Sequence, residues 1–196
     1  MKPFHLFFLL IMAGCKAALS PMDFAKYCED PQNGLVVNQT CGNVQFELKY
    51  IPEQLMALHE FHGEIEKNNF DTVLESYQGM RYFNLKLKPV DKKTDVLLLN
   101  AKTKDEYFQR IQYFSSLINE DLKLIVGLDT IPCSIHHYER TYHLSPVIEL
   151  MIGFEDHNKD IKKNLTVIYR DKIFGLDTVI MKIEGEKIAD LPALKL

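Results

Sequence analysis

The stretch from Val44 to Ile51, VQFELKYI, alternates apolar and polar residues without a fault. Val44, Phe46, Leu48 and Tyr50 fall on one face, with Gln45, Glu47 and Lys49 opposite. A period of two is the signature of a strand with one face buried and one solvated, and such a strand needs partners that supply the rest of the sheet. The same period returns late in the chain. Leu122–Gly127, Cys133–His143, Val147–Phe154, Asn164–Arg170 and Thr178–Glu184 all read as strands, and Ile148, Leu150, Ile152 and Phe154 form the clearest buried face. Arg81–Pro89 adds another, with Phe83, Leu85 and Leu87 in phase. Asp95–Asn100 reads as a short apolar strand.

Helical spacing interrupts this pattern twice. Pro52 ends the first ladder and suits the first turn of a helix; Leu55, Leu58, Phe61 and Ile65 carry an amphipathic repeat to about Lys67. Thr103 and Glu106 make a capping box, followed by Tyr107, Ile111, Phe114 and Ile118 on one stripe. Helices early and consecutive strands late predict an α+β fold, a largely antiparallel sheet with one or two amphipathic helices packed on it. Ser145-Pro146 and the run from Asp156 to Asn164 supply turns. The turn-rich stretch from Gly185 to Leu196 is expected to lie across the sheet.

The first residues carry a different message. Lys2 precedes an apolar run from Phe4 to Ala13 that rises only about 15 Å as a helix, half of a ~30 Å hydrocarbon core. This matches the short apolar region of a secretory signal. The run stops at Met12-Ala13-Gly14-Cys15, which resembles the bacterial lipobox, where the cysteine sulfur receives diacylglycerol and the freed amino group is acylated. Leucine is usual where Met12 stands. Asp71-Thr72-Val73, Asp129-Thr130-Ile131 and Asp177-Thr178-Val179 each resemble the Asp-Thr-aliphatic O-glycosylation acceptor of Bacteroidota, and each also reads as an ordinary turn aspartate beside a β-branched residue. The chain therefore resembles a Bacteroidota-type outer-membrane lipoprotein. That resemblance implies a lipid on Cys15, palmitate among its acyl chains, modification at Thr72, Thr130 and Thr178, and a place on the periplasmic face of the outer membrane. Lys16 after the lipid cysteine is like a surface-export signal, but Ala17, Ala18 and Leu19 lack the acidic residues such signals need. Asn38-Gln-Thr40 and Asn164-Leu-Thr166 fit the N-glycosylation pattern, which would matter in a secreted, unlipidated protein of a eukaryote.

The organisation expected is a signal peptide over 1–14, a lipid-anchored tether and loop over 15–43, and one domain over 44–196. A net charge of −4, with Lys92-Lys93 and Lys162-Lys163 the densest basic clusters and both reading as solvated loops, argues against nucleic acid as a partner. Four cysteines leave three beyond the lipid site, and in an oxidising compartment Cys28 and Cys41 are expected to bridge a loop that holds Gly34 and ends beside Gly42.

The candidate chemistry is thin. On a strand, His137, Glu139 and His143 point one way, but about 20 Å separates the two histidines at ~3.3 Å per residue, too far to share one ion. His59 and His62 are weak metal candidates, three apart on a helix but without the His-Glu-x-x-His spacing. No Gly-x-Ser-x-Gly elbow, phosphate loop or dinucleotide fingerprint is present. Tyr138, Arg140 and Tyr142 share one face of a strand and suit an interface, Tyr and Arg being enriched in binding hot spots. The function expected is a non-enzymatic binding or accessory subunit of a cell-envelope complex for secretion, motility or outer-membrane assembly. It would have a protein partner, a membrane contact through lipid and no cofactor. A glycan-binding or glycan-hydrolysing lipoprotein is the alternative.

Overall fold

The alternation over 44–51 becomes a strand in the middle of one sheet wall. The computed structural model describes residues 18–196, apart from Glu64, His143, Asn158 and Lys159. Their helices are α1 (Pro21–Glu29), α2 (Glu53–His59), α3 (Lys67–Ser76), α4 (Lys104–Ser116) and α5 (Gly185–Ala189). The strands are β1 (Val36–Cys41), β2 (Val44–Ile51), β3 (Met80–Pro89), β4 (Leu122–Val126), β5 (Asp129–Glu139), β6 (Ile148–Glu155), β7 (Leu165–Arg170) and β8 (Thr178–Ile183).

All eight strands join one sheet in the order β1-β2-β3-β6-β5-β4-β7-β8, and each ladder is antiparallel. The two outer strands, β1 and β8, approach each other, so the sheet curls almost into a barrel. Eight strands enclose an interior just wide enough for side chains to fill, and the register shows how it fills. Phe46, Leu87 and Ile148 line up across β2, β3 and β6; Leu48, Leu85 and Leu150 form the next layer; Tyr50, Phe83 and Ile152 form the third. All nine are buried. The fold is α+β with the sheet dominant.

Helix α4 closes the inner face. Thr103 accepts the Glu106 amide at 3.1 Å, which is the first arm of the capping box, while the Glu106 carboxylate accepts the Lys102 amide, one residue before the cap, at 2.6 Å. Phe114, fully buried on this helix, meets Tyr138 of β5 and Phe174 beyond β7, each with ring centroids 6.2 Å apart.

Register also sorts the loops onto two ends. One end collects the entry to β1 and β3, the exits of β2, β6 and β8, the entry to β7 and the β4–β5 turn. This Leu19 end carries α1, α5 and the pairing of Leu19 with Leu194. The opposite end holds the β1–β2 turn, the exits of β3 and β5, the β7–β8 turn and the approach to α4.

Several expectations change. Within the segment read as tether and loop, residues 21–29 form a helix and 36–41 a strand. Ser20 caps α1, Pro21 opens it, and Phe24 and Cys28, four apart, are buried on one side. The repeat from Leu55 to Ile65 is not one helix: α2 stops at His59, a bend through Gly63 follows, and α3 restarts at Lys67 with Phe70 buried. Val96–Leu98 is a 3₁₀ turn rather than a strand, because the Asp95 carboxylate accepts the Leu97 amide at 2.9 Å and caps it. β5 ends at Glu139, short of the expected His143, which lies outside the described residues.

Candidate binding surfaces at the two ends of the sheet

Arg81 begins the inward phase of β3 that continues through Phe83, Leu85 and Leu87, and Asp156 continues the inward phase of β6 just past its end. The barrel interior runs out there, and a polar pair takes the place of the next apolar layer. Arg81 Nε donates to Asp156 Oδ2 at 2.9 Å, both side chains being nearly inaccessible, and Arg81 Nη1 reaches the Tyr50 hydroxyl at 3.4 Å. Burial works against the Arg81 charge, but Tyr50 and Asp156 more than offset it and hold the guanidinium above its ordinary pKa. Burial likewise pushes the Tyr50 phenol up.

This pair forms the floor of a cavity of about 730 Å³ at the Leu19 end, with Glu53, Gln54 and Gln78 on one side and the segment from Ile188 to Ala193 on the other. Burial raises the Glu53 carboxyl above its usual range, with the Arg81 charge opposing. A cavity floored by a locked ion pair and walled by amides suits hydrogen bonding.

The opposite end offers an apolar groove of about 510 Å³ where the 96–98 turn meets the start of α4. Leu98, Ala101, Tyr107 and Phe108 line it, and Lys102 and Lys104 stand at its rim. Phe108 is 58% exposed. Arg110, two residues on, sets the geometry. Its Nη1 donates to the Leu97 and Leu99 carbonyls at 3.0 and 2.6 Å, and its guanidinium lies over the Phe174 ring, 5.6 Å from the centroid. That fixes the turn against the helix. Tyr107 is also near enough to feel the charges of Asp95 and Arg140, with burial the larger influence on its raised pKa.

Tyr138, Arg140 and Tyr142 do not share one strand face. β5 ends at Glu139, so Tyr138 alone of the three stands on the strand, and the register shift between Cys133 and Ile135 sets which way it points. Tyr138 turns inward under α4, half-buried beside Phe114. Arg140 and Tyr142 lie past the strand, where the guanidinium sits 4.6 Å from the centre of the Tyr142 ring and Tyr142 takes a φ of 49°. Tyr138 also senses Asp95, Arg140 and Tyr107, the last of which lines the apolar groove.

Cys28 and Cys41 are free thiols. Cys28 lies beside Lys49, which pairs with Val36 at the start of β1, whereas Cys41 ends that strand. Five residues of strand span about 16 Å, against the ~7 Å Cα separation a disulfide tolerates. Burial drives Cys28 up to about 12 and Cys133 up to about 11. His59 ends α2 and His62 stands in the bend beyond it, so no shared helix face presents them; no cluster of metal-ligating side chains occurs among the described residues. Thr72, Thr130 and Thr178 are all exposed. His137 and Glu139 are exposed on the outer face, while His136 turns inward and its Nε2 lies 3.1 Å from the Ser115 carbonyl oxygen. Cys15 lies outside the described residues.

Sequence reasoning missed Arg81 and Asp156, although each stands in the buried phase of an alternating strand, where a charge is out of place unless paired. It also missed Phe108, which carries no periodic signal. No protein-family model, curated protein or solved structure matches the chain.

Proposed function

We propose that this chain is a lipoprotein of the bacterial cell envelope, held on the outer membrane through lipid on Cys15, whose folded domain binds a protein partner and does no chemistry of its own. The observation that carries the binding role is the groove where α4 begins. Leu98 and Phe108 are exposed around a depression that Arg110 holds in shape. An apolar concavity with aromatic walls is the common form of an interface centre. Lys102 and Lys104 at its rim favour a segment whose apolar side chains are flanked by acidic residues. The cysteines support a passive role, since burial suppresses the thiolate at Cys28 and Cys133 and the thiolate is the nucleophile.

The test is affinity purification of the full chain from detergent-solubilised envelopes, comparing wild type with Phe108→Ser and Leu98→Ser. Both sites are exposed, so melting temperatures should stay close to wild type while the co-purifying partner is lost. A partner retained by both variants would place the interface elsewhere, and release of sugars from an envelope glycan by the purified protein would replace a binding role with a hydrolytic one.

A further inference from the structure

Cys15 and the folded body are close neighbours in the chain. The Leu19 amide donates to the Ala193 carbonyl and the Lys195 amide donates back to the Leu19 carbonyl, each at 2.8 Å. Leu19 is thereby stitched to residues 193–195 on both sides, and Pro21 opens α1 two residues later. From Cys15 to Leu19 the chain can reach no more than about 14 Å at ~3.3–3.6 Å per residue. A strand as long as β3 measures roughly 33 Å at its usual rise, so a lipid on Cys15 leaves too little slack for the domain to turn its far end to the membrane.

The surfaces differ in what they would present to lipid. At the Leu19 end, Met22 on the first turn of α1 is 68% exposed, Leu128 at the β4–β5 turn is fully exposed and Ile161 between β6 and β7 is about half exposed. Exposed charges such as Asp23, Asp129 and Lys162 stand among these apolar side chains, but the outer wall of the sheet carries continuous ion pairs: Lys86 pairs with Glu149 at 3.0 Å and Lys88 with Glu47, on alternate positions of β2, β3 and β6. Lying sideways on a bilayer would strip water from those groups, which burial penalises heavily. Standing on the Leu19 end would instead place single apolar side chains at headgroup depth.

We propose that the Leu19 end of the sheet rests on the bilayer surface, with Met22, Leu128 and Ile161 against the lipid, so that the Phe108 groove faces away from the membrane. This rests on the Cys15 anchor proposed above. Pro192 lines both the polar cavity and the surface beside Leu19, so the Arg81–Asp156 cavity lies at the membrane-facing end.

The experiment uses the full lipidated chain in a Cys41→Ser background, because Cys28 and Cys133 are buried. Met22→Cys, Leu128→Cys, Ile161→Cys and Phe108→Cys each receive an environment-sensitive fluorophore. The proteins are then reconstituted into phosphatidylethanolamine–phosphatidylglycerol vesicles containing nitroxide-labelled lipid. Probes at 22, 128 and 161 should lose most of their emission to the nitroxide, and the probe at 108 should keep its own. Intact mass of the same samples reads the lipid independently. Lipidated protein quenched equally at 108 and 22 overturns the orientation and leaves the anchor standing. Protein without lipid that stays in solution overturns the anchor and the orientation with it.

Discussion

Arg81 and Asp156 show how one residue pair decides the end of a core. A charge buried with its partner contributes little net stability, but removing one partner strands the other. Arg81→Met alone and Asp156→Leu alone should each lower stability by about 3–5 kcal/mol, while the double variant recovers much of that loss. Denaturant unfolding of the four proteins measures this as a double-mutant cycle; single variants that each cost nothing would mean that the pair is well hydrated. Glu53, on the rim of the same cavity, has its carboxyl raised mainly by burial. The folded protein therefore binds that proton more tightly than the unfolded chain does. The stability this contributes is full below the ordinary carboxylate value of 4.5 and is lost as pH rises through the folded pKa. Glu53→Gln should accordingly melt slightly higher than wild type at neutral pH, and the gap should close on acidification. A gap that widens toward low pH would reverse the sign.

At the scale of elements, α4 organises the groove end of the molecule. Thr103 and Glu106 satisfy amides at its start, and Arg110 ties its second turn to the carbonyls of Leu97 and Leu99. Thr103→Ala should cost about 1 kcal/mol, the usual worth of such a cap, and should loosen the groove by fraying the turn that holds Lys104. Amide hydrogen exchange across residues 104–107 would read it: faster exchange there than elsewhere in α4 is expected, and unchanged rates would show that Arg110 alone fixes the helix. The β7–β8 turn is built on the same plan, with the Asp171 carboxylate accepting amides from Ile173, Phe174 and Leu176 and so placing Phe174 beneath α4.

For the whole molecule, the near-closed sheet separates two surfaces by end: the polar cavity at the Leu19 end and the apolar groove at the other. Cys15→Ala should move the protein from the membrane fraction to the soluble one without altering its melting temperature, since among the described residues the tie to the sheet is made from Leu19 onward. A variant that stays on the membrane would show that something besides lipid on Cys15 holds it there. Among the described residues no helix is long and apolar enough to cross a membrane.

What the sequence determined by itself was local. Period-two runs specify strands because alternate side chains must point oppositely, so β2, β3, β4, β6, β7 and β8 were legible within a residue or two, and so was the capped start of α4. Tertiary structure decided everything that depends on what lies across the fold. Phe24 and Cys28 make α1 a packed helix only because the sheet supplies a surface for them, and β1 carries too little apolar patterning to be read without β2 beside it. The β5 bulge, invisible in periodicity, turned Tyr138 inward, and the end of the strand at Glu139 left Arg140 and Tyr142 beyond its face. The candidate site was hidden for the same reason. Arg81 and Asp156 are 75 residues apart in the chain, and only the pairing of β3 with β6 brings their opposite charges to one cavity floor, where each makes the burial of the other tolerable.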